Sequence, residues 1–161
     1  STVHAYTNDQ ATLDIHHSKG IMARRGRACA QNIVPASTGA ASAIGKVIPN
    51  LLGKMDGMAF RVPVSCGSVV DLTLELEKDV SKEKLNDLLR NNQSEALRVC
   101  EDPIVSSDVL GKKCGALVDL LSTNVLETES GSLVKVVAWY DNEMGYTAQM
   151  LRTAKALIKE K

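Results

Sequence analysis

The sequence predicts an α+β domain, a largely antiparallel mixed sheet with helices on one face and a further helix closing the chain. Three observations carry this. Segments of period-two alternation occur beside segments of helical period, with no strict strand–helix–strand repeat to build a parallel sheet. One strand alternates apolar and charged residues cleanly, as a sheet covered on one face does. With 161 residues, 44% hydrophobic and 24% charged, the chain can bury a core without disulfide or metal staples.

Thr2-Val3-His4-Ala5-Tyr6-Thr7 reads as a strand that begins without initiator methionine or polar lead-in, an abruptness expected of a piece of a larger chain. Asn8 to Arg27 carries Asp9, Asp14, His16, His17, Lys19, Arg24, Arg25 and Arg27 with no sustained period. It reads as a long loop, the kind that serves a site or an interface. Ala40, Ile44, Val47 and Ile48 then recur at helical spacing, with Ser37 or Thr38 as cap and Pro49 as stop. From Met58 the period is two: Met58, Phe60, Val62 and Val64 share one face, and Ala59, Arg61 and Pro63 the other. Val70, Leu72, Leu74 and Leu76 alternate with Asp71, Thr73, Glu75 and Glu77.

Ser81 caps a helix expected to reach about Asn91, with Leu85, Leu88 and Leu89 inward and Val80 stapled to Leu85. Ile104 to Ser107 is expected to be extended, Leu117 to Leu121 a strand, and Leu133 to Tyr140 a central strand, apolar on both faces except at Lys135. Asp141-Asn142-Glu143 forms a turn into a last helix whose apolar face is Met150, Leu151, Ala154, Leu157 and Ile158.

Composition excludes several classes of function. The 19 Lys+Arg balance the 19 Asp+Glu, so no global field draws the chain to nucleic acid or an anionic membrane. Aromatics are 3%, which removes stacking platforms for single strands. No apolar run approaches the ~20 residues that span a bilayer. Cys29, Cys66, Cys100 and Cys114 form no CxxC pair, and His4, His16 and His17 add no zinc spacing, so no metal is expected. The cysteines read as reduced and the protein as cytoplasmic. Neither GxGxxG nor GxxxxGK[ST] occurs, so these residues build neither a Rossmann nor a P-loop nucleotide site.

The candidate chemistry is local. Thr38-Gly39 opens a helix, where unpaired N–H groups and the positive dipole end favour a phosphate; the same residues equally serve as a cap. Arg61, on an otherwise apolar strand, needs a counter-charge, either a bidentate phosphate or a carboxylate. His4 has the intrinsic pKa for acid–base work, or is a hydrogen-bonded structural histidine. Arg24, Arg25 and Arg27 form a basic cluster that binds phosphate or solvates the loop. No cysteine stands in an evident nucleophile setting.

Several longer strings are far more specific. They are Thr2 to Gln10, Asn32 to Ala41, Gly57 to Pro63, Ser68 to Thr73, Val105 to Asp108 and Trp139 to Tyr146. In this order they closely resemble phosphorylating glyceraldehyde-3-phosphate dehydrogenases of the bacterial branch. The resemblance implies the catalytic domain over residues 1–140, incomplete at its N-terminal end, and over 141–161 a C-terminal helix that in the family packs on an NAD-binding domain. That domain and the Ser-Cys-Thr-Thr-Asn-Cys segment with the nucleophile are absent from this sequence. By motif, the resemblance makes His4 the catalytic acid–base residue. Thr7 and Arg61 would hold the substrate's C3 phosphate, and Thr38 and Gly39 inorganic phosphate. Arg25 would be a further anion-binding arginine, and Asn142, with Tyr146, would contact the nicotinamide.

The implied function is the catalytic portion of an enzyme that oxidises glyceraldehyde 3-phosphate with NAD and phosphate to 1,3-bisphosphoglycerate. NAD is implied for the intact parent, with none bound to this chain, which is expected to be inactive alone. The implied partners are glyceraldehyde 3-phosphate, inorganic phosphate and further copies in a homo-oligomer, a tetramer in the family. The alternative is a non-catalytic binding fragment at the bacterial surface with a host-protein partner. The stretch Leu110 to Asp119 and the Cys66-Gly67 entry depart from the family's usual residues.

Overall fold

A computed structural model describes residues 1–18, 20 and 22–159; Lys19, Ile21, Glu160 and Lys161, which the sequence reading put in the long loop and the last helix, lie outside the described residues. The chain divides into two compact units, Ser1–Ser65 and Cys66–Lys161.

The first unit holds strands β1 (Thr2–Ala5), β2 (Val34–Ser37) and β3 (Met58–Val62) and helix α1 (Ala40–Val47). β3 lies in the middle, parallel to β1 and antiparallel to β2. Small residues let these strands close up: Ala5, Val34 and Ala59 are buried. The first strand stops at Ala5, earlier than the sequence suggests, because Thr7 to Gln10 is a turn in which the Gln10 N–H donates to the Thr7 carbonyl at 2.9 Å.

The long loop after it is tied down internally. Arg24–Gly26 forms a 3-10 turn, and the Ala28 N–H donates to Asp14 at 2.8 Å. That bond, with Arg27 beside it, holds the Asp14 carboxyl below its ordinary pKa. Gly26 is required here, since a Cβ would stand 2.6 Å from the Ile15 carbonyl oxygen. Helix α1 takes Gly39 rather than Ser37 or Thr38 at its cap position, although the Thr38 hydroxyl accepts from the Ala40 N–H at 3.2 Å. Val47 and Ile48, expected on its apolar face, are exposed.

The second unit holds β4 (Ser68–Leu76), α2 (Lys82–Asn91), β5 (Leu97–Cys100), β6 (Ala116–Thr128), β7 (Gly131–Tyr140) and α3 (Met144–Lys159). The strand order is β4-β7-β6-β5. β7 is central as predicted, antiparallel to β4 and β6, and β5 runs parallel to β6. The class is therefore α+β with a mixed, largely antiparallel strand arrangement. Leu85 of α2 packs with Val118, Leu120, Val134, Val136 and Ala138 into the core. On the open face Lys135 pairs with Asp71 at 2.9 Å.

Local departures from the sequence reading have physical causes. Ser81 does cap α2, accepting from the Lys84 N–H, but Leu88 is exposed and Asn86 is buried, its amide donating to the Leu120 carbonyl at 3.2 Å. The extended piece expected over 104–107 is extended at Val105 but gives way to a 3-10 turn over Ser106–Val109, closed by Asp108, whose carboxylate accepts from the Val105 N–H at 2.8 Å. β6 runs beyond Leu121 through a bulge, where buried Asp119 accepts from the N–H groups of Leu121 and Ser122.

Candidate functional site

The first unit places four sequence-predicted residues, His4, Thr7, Arg25 and Arg61, in one hydrogen-bonded group. The register of β1 and β3 sets His4 directly beside Arg61. From there Arg61 Nη1 donates to the Ala5 carbonyl at 3.1 Å and to Thr7 Oγ1 at 3.0 Å, and lies 3.1 Å from His4 Nδ1. A carbonyl can only accept, so the 2.7 Å approach of His4 Nδ1 to the Ala5 oxygen assigns the imidazole proton to Nδ1. Nε2 is then the basic atom of the ring.

The group continues through a residue the sequence reading did not select. Thr7 Oγ1 donates to Asp9 Oδ1, and Asp9 Oδ2 pairs with Arg25 Nη1. The Thr-x-Asp spacing across a tight turn was the available signal, because it brings a hydroxyl and a carboxylate to one side of the chain. Arg25 is three-quarters buried, with 26% of its side chain exposed, whereas Asp9 is half-exposed. Arg25 also lines an open cavity of about 410 Å³ together with His17, Met22, Arg24, Ala36 and Ser37.

Thr38 and Gly39 stand apart from this group. They follow Ser37, whose partner on β3 is Met58, while Arg61 lies opposite Val34. Three residues of strand separate these positions, about 10 Å at the usual rise. A Cβ at Gly39 would meet nothing within 4 Å, so the backbone at the start of α1 is open to approach.

In the second unit Asn142 Oδ1 accepts from Ser68 Oγ at 2.6 Å. Its Nδ2 is buried with no acceptor among the described residues. Tyr146, on the first turn of α3, is exposed. Just before Asn142, Asp141 accepts from the N–H groups of Glu143, Met144 and Gly111 at 2.8–2.9 Å. Burial alone would raise its pKa, but these backbone donors outweigh it and hold the carboxyl below its ordinary value.

Cys66 Sγ donates to Glu143 Oε2 at 3.3 Å. Burial pushes its thiol up, and the Glu143 and Asp141 carboxylates add to that, the reverse of what activates a nucleophile. Cys66, Asp141 and Glu143 are close enough together to share an ion, but Asp141 Oδ1 is already occupied by the N–H groups of Glu143 and Met144 and Oδ2 by that of Gly111. Cys29 and Cys114 are buried. Among the described residues no helix is long and apolar enough to cross a membrane.

Comparison with known proteins agrees with the motif resemblance. The family model for the C-terminal domain of glyceraldehyde 3-phosphate dehydrogenase matches residues 1–142. Glyceraldehyde-3-phosphate dehydrogenase of Streptococcus pyogenes is 52% identical over 159 residues, which cover 99% of this chain and 47% of that protein. The proteins of the same name from S. pyogenes serotype M1 and serotype M3 (strain SSI-1) match to the same extent. The chain spans about half the length of the curated relatives it matches.

Proposed function

Since this chain belongs to the glyceraldehyde 3-phosphate dehydrogenase family, through its C-terminal domain, we propose that it supplies the acid–base and phosphate-handling half of that family's active site. The observation that carries this is the position of Arg61, whose one guanidinium nitrogen reaches both Thr7 and the edge of His4 within 3.1 Å. A phosphoryl group at Arg61 and Thr7 fixes the far end of a three-carbon substrate. His4 then stands at the reacting end.

In the parent enzyme, substrate is glyceraldehyde 3-phosphate and product is 1,3-bisphosphoglycerate. His4 Nε2 takes the proton of an attacking thiol and gives it to the oxygen that becomes the hemithioacetal hydroxyl, then accepts that proton again when C1 loses hydride and becomes a thioester. Its Nδ1–H is anchored on the Ala5 carbonyl, which fixes ring orientation. Arg61 and Thr7 orient the C3 phosphate, and Thr38 with the open N-terminus of α1 receives the inorganic phosphate that attacks the acyl carbon.

The residues present fit one edge of a nicotinamide cofactor. The orphaned Nδ2 of Asn142 is a donor for an amide carbonyl, and Tyr146, four residues further on, is exposed. When bound, NAD supplies the hydride acceptor. With no activated thiol and no dinucleotide fingerprint in its own residues, the chain alone produces no NADH.

One observation favours a second reading, a binding role. Helix α3 exposes Leu151, Leu157 and Ile158 at 56%, 62% and 74%, a contiguous apolar face that a partner would cover. Further copies of the family's chain, as in a homo-oligomer, or a host protein at a bacterial surface would be such partners.

Isothermal titration of inorganic phosphate into the chain tests the main reading. Saturable binding that Arg61→Gln reduces to the site at Thr38 and Gly39 is expected; no binding, or binding untouched by the substitution, contradicts it. For the second reading, a sharp monomer in sedimentation at micromolar concentration counts against self-association.

A further inference from the structure

We propose that Asp9 is a built-in counter-ion of the phosphate site, occupying Thr7 and Arg25 when no anion is bound and giving them up when one binds. The proposal rests on the phosphate reading of Thr7, Arg25 and Arg61 given above.

A hydroxyl has one proton. In this structure Thr7 spends it on Asp9 Oδ1, while its oxygen accepts from Arg61. Thr7 therefore cannot donate to a phosphate oxygen until Asp9 leaves. Asp9 Oδ2 meanwhile covers Arg25 Nη1, so the two carboxylate oxygens stand where two phosphoryl oxygens would bind.

The asymmetry of burial decides which partner moves. Half of the Asp9 side chain is exposed, against about a quarter of Arg25, and the Arg25 backbone is pinned by the Ala11 N–H on its carbonyl. Asp9 sits in a turn with water on one side and can rotate outward. Staying would set its charge against an incoming dianion, and among the five residues of the group it is the only acid.

Exchange of this kind lowers affinity for every anion and penalises monoanions most. A dianion recovers more Coulomb energy from Arg25 and Arg61 than it loses by displacing one carboxylate. Chloride does not. The device thus keeps Arg25 paired and the Thr7 hydroxyl occupied when no ligand is bound, and favours phosphorylated ligands over simple anions.

The test is phosphate titration by calorimetry with the chain, Asp9→Asn and Asp9→Ser, each also in an Arg25→Gln background. Removing the carboxylate is expected to tighten phosphate binding roughly three- to tenfold, the range of a half-exposed ion pair with a second hydrogen bond. The gain should fall below about twofold without Arg25, because little remains to be released. Arg25 side-chain NMR signals, slowed by the Asp9 pair in the parent chain, should sharpen in both Asp9 variants. Unchanged or weaker phosphate binding in Asp9→Asn and Asp9→Ser, with the parent chain still binding, overturns the counter-ion role alone. Absence of binding in every form overturns the phosphate reading and the counter-ion with it.

Discussion

Arg61 Nη1 stands 3.1 Å from His4 Nδ1, across the β1–β3 register that pairs these two residues. Backbone geometry alone therefore brings a fixed cation to a residue with acid–base capacity. Two parallel strands supply this, with no loop closure needed. The pairing also explains why an arginine is tolerated on a strand flanked by Phe60 and Val62: its Nη1 donates to two oxygen acceptors, the Ala5 carbonyl and Thr7 Oγ1.

Arg61→Lys is expected to weaken phosphate binding about tenfold, or about 1.4 kcal/mol. The ammonium keeps the charge but cannot span Ala5 O and Thr7 Oγ1 while facing a ligand. Calorimetric titration of both forms measures the difference, and equal affinities would show that charge alone suffices.

Thr38→Val should lower stability modestly and weaken phosphate binding. The threonine hydroxyl accepts from the Ala40 N–H, and losing such a bond at a helix start costs about 0.5–1 kcal/mol. Urea unfolding gives the first number and phosphate titration the second. Thr38→Ser should retain both properties.

Asp141→Asn should destabilise the chain by about 1–3 kcal/mol at neutral pH, because one amide cannot accept from Gly111, Glu143 and Met144 together. The pH dependence has a definite sign. The folded pKa of Asp141 lies below the ordinary 3.8, so its stabilisation is complete above 3.8 and is lost as pH falls through the folded value. The gap between parent and Asp141→Asn should therefore narrow in urea melts taken at progressively lower pH in that acid range. A gap that widened there would contradict the assignment.

Incubating the 161-residue chain with glyceraldehyde 3-phosphate, NAD and phosphate should give no NADH absorbance. Cys66, held up as a thiol by burial and by Glu143 and Asp141, is no substitute for an activated cysteine. Steady NADH production would require another nucleophile.

Most of the second unit was legible in the sequence because its strands alternate strongly and Ser81 caps α2. β5 was not. Leu97–Cys100 is four residues long, with Arg98 exposed, and its pairing to β6 is a tertiary matter that no local period records. The early end of the extended piece at Val105 has the same origin: Asp108 closes a 3-10 turn over Ser106–Val109 through one side chain, invisible to periodicity. In the site, the residues themselves pointed to His4 and Arg61 and the resemblance added Thr7 beside Arg61, but the hydrogen bonds that join these residues to one another and to Arg25 needed the fold. Asp9 went unselected because a carboxylate in a polar loop looks like solvated charge until the fold places it between Thr7 and Arg25. The resemblance gives Thr38 and Gly39 a different phosphate from that of Thr7 and Arg61, and the β2–β3 register puts three residues of strand between the two positions.

The most direct measurement of the central claim is a phosphate titration of the isotope-labelled chain followed residue by residue in amide NMR spectra, with chloride at matched ionic strength as control. The account predicts saturable shifts at Thr7, Arg25 and Arg61, and at Thr38 and Gly39, with Cys66 to Leu76 unmoved. Shifts that chloride reproduces, or that spare Thr7 and Arg61, would contradict it.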